Sequence, residues 1–176
     1  KIETKVSWLT AIPDAADIII YHPNQPLSIT DFKGTPNVET DAVAITASGF
    51  MFKAMYQLKN NKPALLIEVY CSFNKNESWM KEKGKTAYIL AHEQRHFDIS
   101  YLSTLRFIKK VKQATFGQQD YMEQLKTMYK EVVEQMKELQ DKYDEETING
   151  INIAKQEEWN SKIEKMLNNT SDVSMQ

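Results

Sequence analysis

The chain has 176 residues, 41% of them hydrophobic and 26% charged, with only five Gly and five Pro. That composition builds a folded globular domain and excludes collagen-like repetition and disorder throughout. Lys and Arg total 22 against 24 Asp and Glu, a net charge of -2, so no basic excess exists to attract a phosphate backbone and nucleic acid is not expected as a partner.

The first 40 residues are broken by Pro13, Pro23, Pro26, Gly34 and Pro36 and read as one or two strands and turns wrapped on a larger body. The chain begins at Lys1 rather than Met, which suggests that a preceding segment, and any export signal within it, has been removed. Asp41 to Met55 and Pro63 to Phe73 are apolar segments separated by the turn signal Lys59-Asn60-Asn61-Lys62. They are expected to form an antiparallel pair, the second strand largely buried because even its second face is half apolar. Cys71, the single cysteine, lies in that strand and cannot make an internal disulfide; it reads as a buried filler. The longest apolar runs, Ala16 to Tyr21 and Ala64 to Tyr70, fall far short of the roughly 20 residues that a transmembrane helix needs.

From Thr86 to Gln113 no Gly or Pro interrupts the chain, and one long helix is predicted. Beyond Gly117, Leu125, Tyr129, Val132, Met136, Leu139 and Tyr143 step by alternating fours and threes, the period of a helix packing along a narrow seam. That seam is expected to pack within the chain, which reads as a monomer. Asn149-Gly150 is a stop signal, and Trp159, Ile163, Met166 and Leu167 mark a third helix. Trp79 and Trp159 are expected to pin helices to the sheet. The fold class is therefore α+β: a small, mostly antiparallel sheet packed with three long helices. One domain spans 1–167, and 168–176 reads as a flexible tail.

Within the first long helix stands His92-Glu93-Gln94-Arg95-His96, the spacing H-E-x-x-H, which uses two of the chain's three histidines. Residues four apart on an α-helix are rotated by about 40° and separated by about 6 Å, so both imidazoles can reach one ion. Neutral imidazole suits Zn²⁺, which lowers the pKa of bound water, and Glu93 is placed to accept that water's proton as general base. Peptide or amide hydrolysis is the implied chemistry. His22, in Tyr-His-Pro-Asn, reads as a surface turn residue. Asp98 points away from His96 around the helix and serves better as a supporting partner than as a ligand. A catalytic zinc site normally takes three protein ligands, so one is missing. The continuation H-x-x-G-x-x-H fails, because position 99 is Ile and position 102 is Leu.

The run Tyr88 to Ile99, the earlier Asp31-Phe32-Lys33-Gly34 and Ser78-Trp79, and the later Tyr143-Asp144-Glu145-Glu146-Thr147 with Gln156 and Trp159 resemble the bacterial DUF922 family, from about Ser28 to Leu167. The resemblance implies a zincin-like, zinc-dependent protease, exported from the cell, acting on a polypeptide, with the first helix linked to the 143–159 segment. It also implies a histidine two residues after the Tyr-Asp-x-x-Thr segment, where this chain has Asn149. Asn is a poor zinc ligand and reads here as a helix C-cap with Gly150; Glu146, one turn earlier, is the candidate third ligand beside His92 and His96. Tyr143 could stabilise an oxyanion but continues the apolar seam and reads as core. The rival expectation is a catalytically inactive exported binding domain that keeps an incomplete zinc motif. A hydrolase of a non-peptide amide would share the same site.

Overall fold

The computed structural model describes residues 2–12 and 15–170, so the expected tail falls largely outside it, at 171–176, as does Pro13. Its strands are β1 (Glu3–Trp8), β2 (Ile18–Ile20), β3 (Ala44–Ile45), β4 (Ser48–Lys59), β5 (Lys62–Asn74) and β6 (Trp79–Met80). The long helices are α1 (Ala87–Gln113), α2 (Tyr121–Thr147) and α3 (Ile153–Asn168). This is the expected α+β architecture.

The centre of the sheet is β5. One face of it, Leu65, Ile67, Val69, Cys71 and Phe73, is wholly buried, while Glu68 on the other face is exposed and Leu66 and Tyr70 are half-buried. The sheet is therefore covered on one side only, more one-sided than the apolar count of β5 suggests. β4 pairs with β5 along its full length, from Ser48 opposite Phe73 to Lys59 opposite Lys62. Asn60 and Asn61 close the hairpin with φ of 53° and 59°, the left-handed pair that a type I′ turn requires and that Asn tolerates. On its other edge β5 takes β1 in parallel and β2 antiparallel.

The expected strand over 41–55 is divided. Ala44 and Ile45 leave the main sheet to pair with Trp79 and Met80, and β4 runs on to Lys59 because its hairpin end lies at the exposed edge, where Gln57 and Lys59 cost nothing. This detour carries residues 42–46 over α1.

α1 opens on Thr86, whose side chain accepts from Ile89 N, and its Phe97, Tyr101, Leu105, Ile108 and Val111 pack on the buried face of β5. α2 uses its seam, Leu125, Tyr129, Val132 and Met136, against the same core. A second cluster, Ile99, Tyr143, Trp159 and Ile163, locks the three helices together. Trp159 thus pins helix to helix rather than helix to sheet, because α3 packs on α1 and α2. Among the described residues, no helix is long and apolar enough to cross a membrane.

Candidate metal centre

His92 and His96 project from one face of α1, their ring centroids 5.1 Å apart and nearly perpendicular. From α2, Asp144 reaches across so that its Oδ1 lies 3.2 Å from His92 Nε2 and 3.0 Å from His96 Nε2. One ligand atom from each of the three lies within 4.8 Å of the others, a spacing that one small ion can satisfy.

The remaining ring nitrogens are fixed by partners whose own polarity is unambiguous. Gln140 Nε2 donates to the His96 carbonyl at 2.9 Å, which turns Gln140 Oε1 towards His96 Nδ1. His92 is set through a longer relay. Arg95 Nε can only donate, and it does so to Asn160 Oδ1 at 3.1 Å. That oxygen also takes Gln156 Nε2, at 3.1 Å, so Gln156 presents its Oε1 to His92 Nδ1 at 2.7 Å. Tyr143 OH completes the network, accepting from Gln156 Nε2 at 2.7 Å and donating to the His92 carbonyl at 3.1 Å.

Both Nδ1 atoms therefore carry hydrogen, and in a neutral ring both Nε2 lone pairs face Asp144 Oδ1. Acceptors so close together need a proton or a metal cation between them. Protonation answers in part: burial lowers the His96 pKa, but its hydrogen bond to Asp144 and the nearby Glu93 and Asp144 charges outweigh this and raise it. Burial would raise the Asp144 pKa, yet its hydrogen bonds to His92 and His96 pull it well below the usual carboxylate range. For Tyr143, burial pushes the phenol far above its ordinary value, so it serves as a neutral hydrogen-bonding group.

Glu93 faces the same cavity of about 410 Å³, whose lining also includes Thr46, Met136, Gln140 and Asn149. It is only 4% exposed and its Oε2 accepts from Thr46 Oγ1 at 2.6 Å, while no ion pair to it is found among the described residues. With both imidazoles neutral and both carboxylates ionised, the cavity would carry a charge of -2, which a divalent cation would match. The donor set of two nitrogens and one oxygen, with amide oxygens holding the far ring nitrogens, fits zinc.

The expected site residues are thus partly assembled. His92, Glu93 and His96 come together; Glu146 does not join them. Its Oε2 accepts from Trp159 Nε1 at 2.8 Å and its other oxygen lies 3.7 Å from Lys142 Nζ, so Asp144 takes the place expected of Glu146. Asn149 lies in the turn after α2, with φ of 50°, and lines the cavity. Asp98 points away as expected, accepting from Tyr21 OH, Gln94 Nε2 and Arg95 NH1. His22 is exposed in its turn.

Fold and site together define an α+β protein in which α1 and α2 bring together a candidate two-histidine, one-carboxylate metal centre. Residues 72–150 match the family model described as bacterial protein of unknown function (DUF922). That stretch holds His92, Glu93, His96 and Asp144 and is narrower than the resemblance drawn over 28–167; Thr46, Gln156 and Asn160 lie outside it. No curated protein and no solved structure matches the chain.

Proposed function

We propose that the chain is a zinc-dependent peptidase, exported from the cell, in which His92, His96 and Asp144 hold the ion and Glu93 transfers the proton. The observation that carries this reading is the convergence of two Nε2 atoms and one carboxylate oxygen beside the buried Glu93, which has no Lys or Arg partner among the described residues. Bound there, zinc would supply a Lewis acid that acidifies water and polarises a carbonyl.

The chain's own contribution is positional. Gln140 and Gln156 keep hydrogen on both Nδ1 atoms, so both Nε2 lone pairs remain available as ligands. Thr46 holds one oxygen of Glu93 by donating to Oε2, leaving Oε1 to accept a proton from attacking water and return it to the leaving amine. Residues 42–46 line the same cavity, and among the described residues β3 pairs with β6 alone, so an extended polypeptide can add beside it.

Replacing Glu93 by Gln is expected to leave zinc content intact and to lower peptide hydrolysis by about 10²-fold or more. His96→Ala is expected to release the metal. Elemental analysis of both proteins, with turnover of a peptide library, tests the reading; full turnover by the Glu93→Gln protein would refute it.

A second reading has its own support. Asp144 Oδ1 can accept from both rings when they are protonated, so the same three side chains can clasp α1 to α2 in a non-enzymatic binding domain. A purified chain that takes up no zinc and cleaves nothing supports that reading instead.

A further inference from the structure

We propose that the turn between α2 and α3 builds a subsite for a large apolar side chain of the substrate, beside the candidate metal centre. The inference rests on the peptidase reading and adds to it the class of peptide accepted.

A second cavity of about 410 Å³ adjoins the first and shares Ala42, Val43, Ile89 and Asn149 with it, so the two form one groove. Its far wall is apolar, formed by Tyr88, Ile151 and Ile153. Among the described residues the charged groups lining it are Lys83 and Asp41, of opposite sign, so no net charge favours an ionic side chain. An ionic side chain there would face the apolar wall and find only the exposed Lys83 or Asp41 to pair with, whereas a branched aliphatic or aromatic group would gain by leaving water.

The turn itself is costly in two ways. Ile148, Asn149 and Gly150 all have positive φ, 51°, 50° and 89°, and for a β-branched residue such as Ile148 this is a strained conformation. Ile151 and Ile153, which line the groove, are 77% and 62% exposed, and Ile148 in the same turn is 54% exposed, so the turn presents large apolar side chains to solvent.

The turn is also fixed against the metal centre. Gly150 O accepts from Tyr88 OH, and a Cβ at Gly150 would sit 3.3 Å from His92 Nδ1, so glycine backbone packs directly on the ligand ring. Ile151 follows at once. The shared lining places the side chain received close to the bond to be cut.

The test uses the zinc-loaded chain and an I151D/I153D variant, both substitutions at exposed positions, against internally quenched peptides carrying Leu, Phe, Ala or Asp at each position near a cleavable amide. Binding of the same peptides is measured by fluorescence anisotropy in the Glu93→Gln background, and zinc content is measured throughout. Expected is a preference of about 10-fold or more for Leu or Phe over Asp at one position, in kcat/KM and in Kd, lost in the variant at equal zinc content. Cleavage with no apolar preference, or a preference unchanged in the variant, overturns the subsite and leaves the peptidase reading standing. Selective binding without cleavage by the native chain does the reverse. Neither binding nor cleavage overturns both.

Discussion

Gln140 shows how much of the centre is held by residues that would touch no ion. Its amide spans His96 from both sides, donating to the backbone carbonyl and accepting at Nδ1. Replacing Gln140 by Met keeps the bulk and removes both functions, freeing the ring to rotate and to change tautomer. Zinc affinity, measured by competition with a chromogenic chelator, is expected to fall about 10- to 100-fold while the fold persists. The histidine pair and Glu93 were legible because i, i+4 spacing on a helix is a geometric certainty once the helix is granted. Asp144 was not. Tyr143 marks the inward seam of α2, and Asp144 and Glu146 flank it at about +100° and −60° around the helix. Periodicity finds the seam but not which flank turns to α1 and which to α3; the structure gives Asp144 to His92 and His96, and Glu146 to Trp159.

Among the elements, the three long helices were legible, since 3.6-residue periodicity and the lack of Gly and Pro act over many turns; α1 was expected at 86–113 and runs 87–113, while the apolar stripes marked α2 and α3 without their ends. Strands β3 and β6 were not, because two residues each carry no period. The α2–α3 turn sits between these cases. Asn149-Gly150 announced it, but the left-handed Ile148 that caps α2 contradicts local preference and depends on its neighbours. Ile148→Asn places a residue that tolerates this conformation at an exposed position. Urea denaturation is expected to show a gain of about 0.5–1 kcal/mol; a loss would mean that Ile148 makes contacts outweighing its backbone strain.

For the molecule as a whole, the centre couples pH to stability with a sign that metal reverses. In the metal-free chain, the raised His96 pKa adds stability that is fully present below the ordinary value of 6.5 and is lost as pH rises through the raised value. The lowered Asp144 pKa adds stability present above 3.8 and lost as pH falls through the lowered value. Metal-free protein should therefore draw most from this cluster between about pH 4 and 6. Zinc must displace the imidazole protons, so its stabilisation grows as pH rises. Differential scanning calorimetry is expected to show a larger zinc-induced rise in Tm at pH 8 than at pH 5, with roughly 2.7 kcal/mol gained at a free zinc concentration 100 times Kd. An equal rise at both pH values would place the bound ion away from the histidines.

The ligands also lie far apart along the chain, His96 and Asp144 being 48 positions from one another. An ion gripping both would act as a removable tether, closing a long loop much as a crosslink does while remaining open to a chelator. Amide protons in the second half of α2 and in the turn beyond it would then exchange with deuterium more slowly when the tether is in place, and regain their faster rate when it is drawn out.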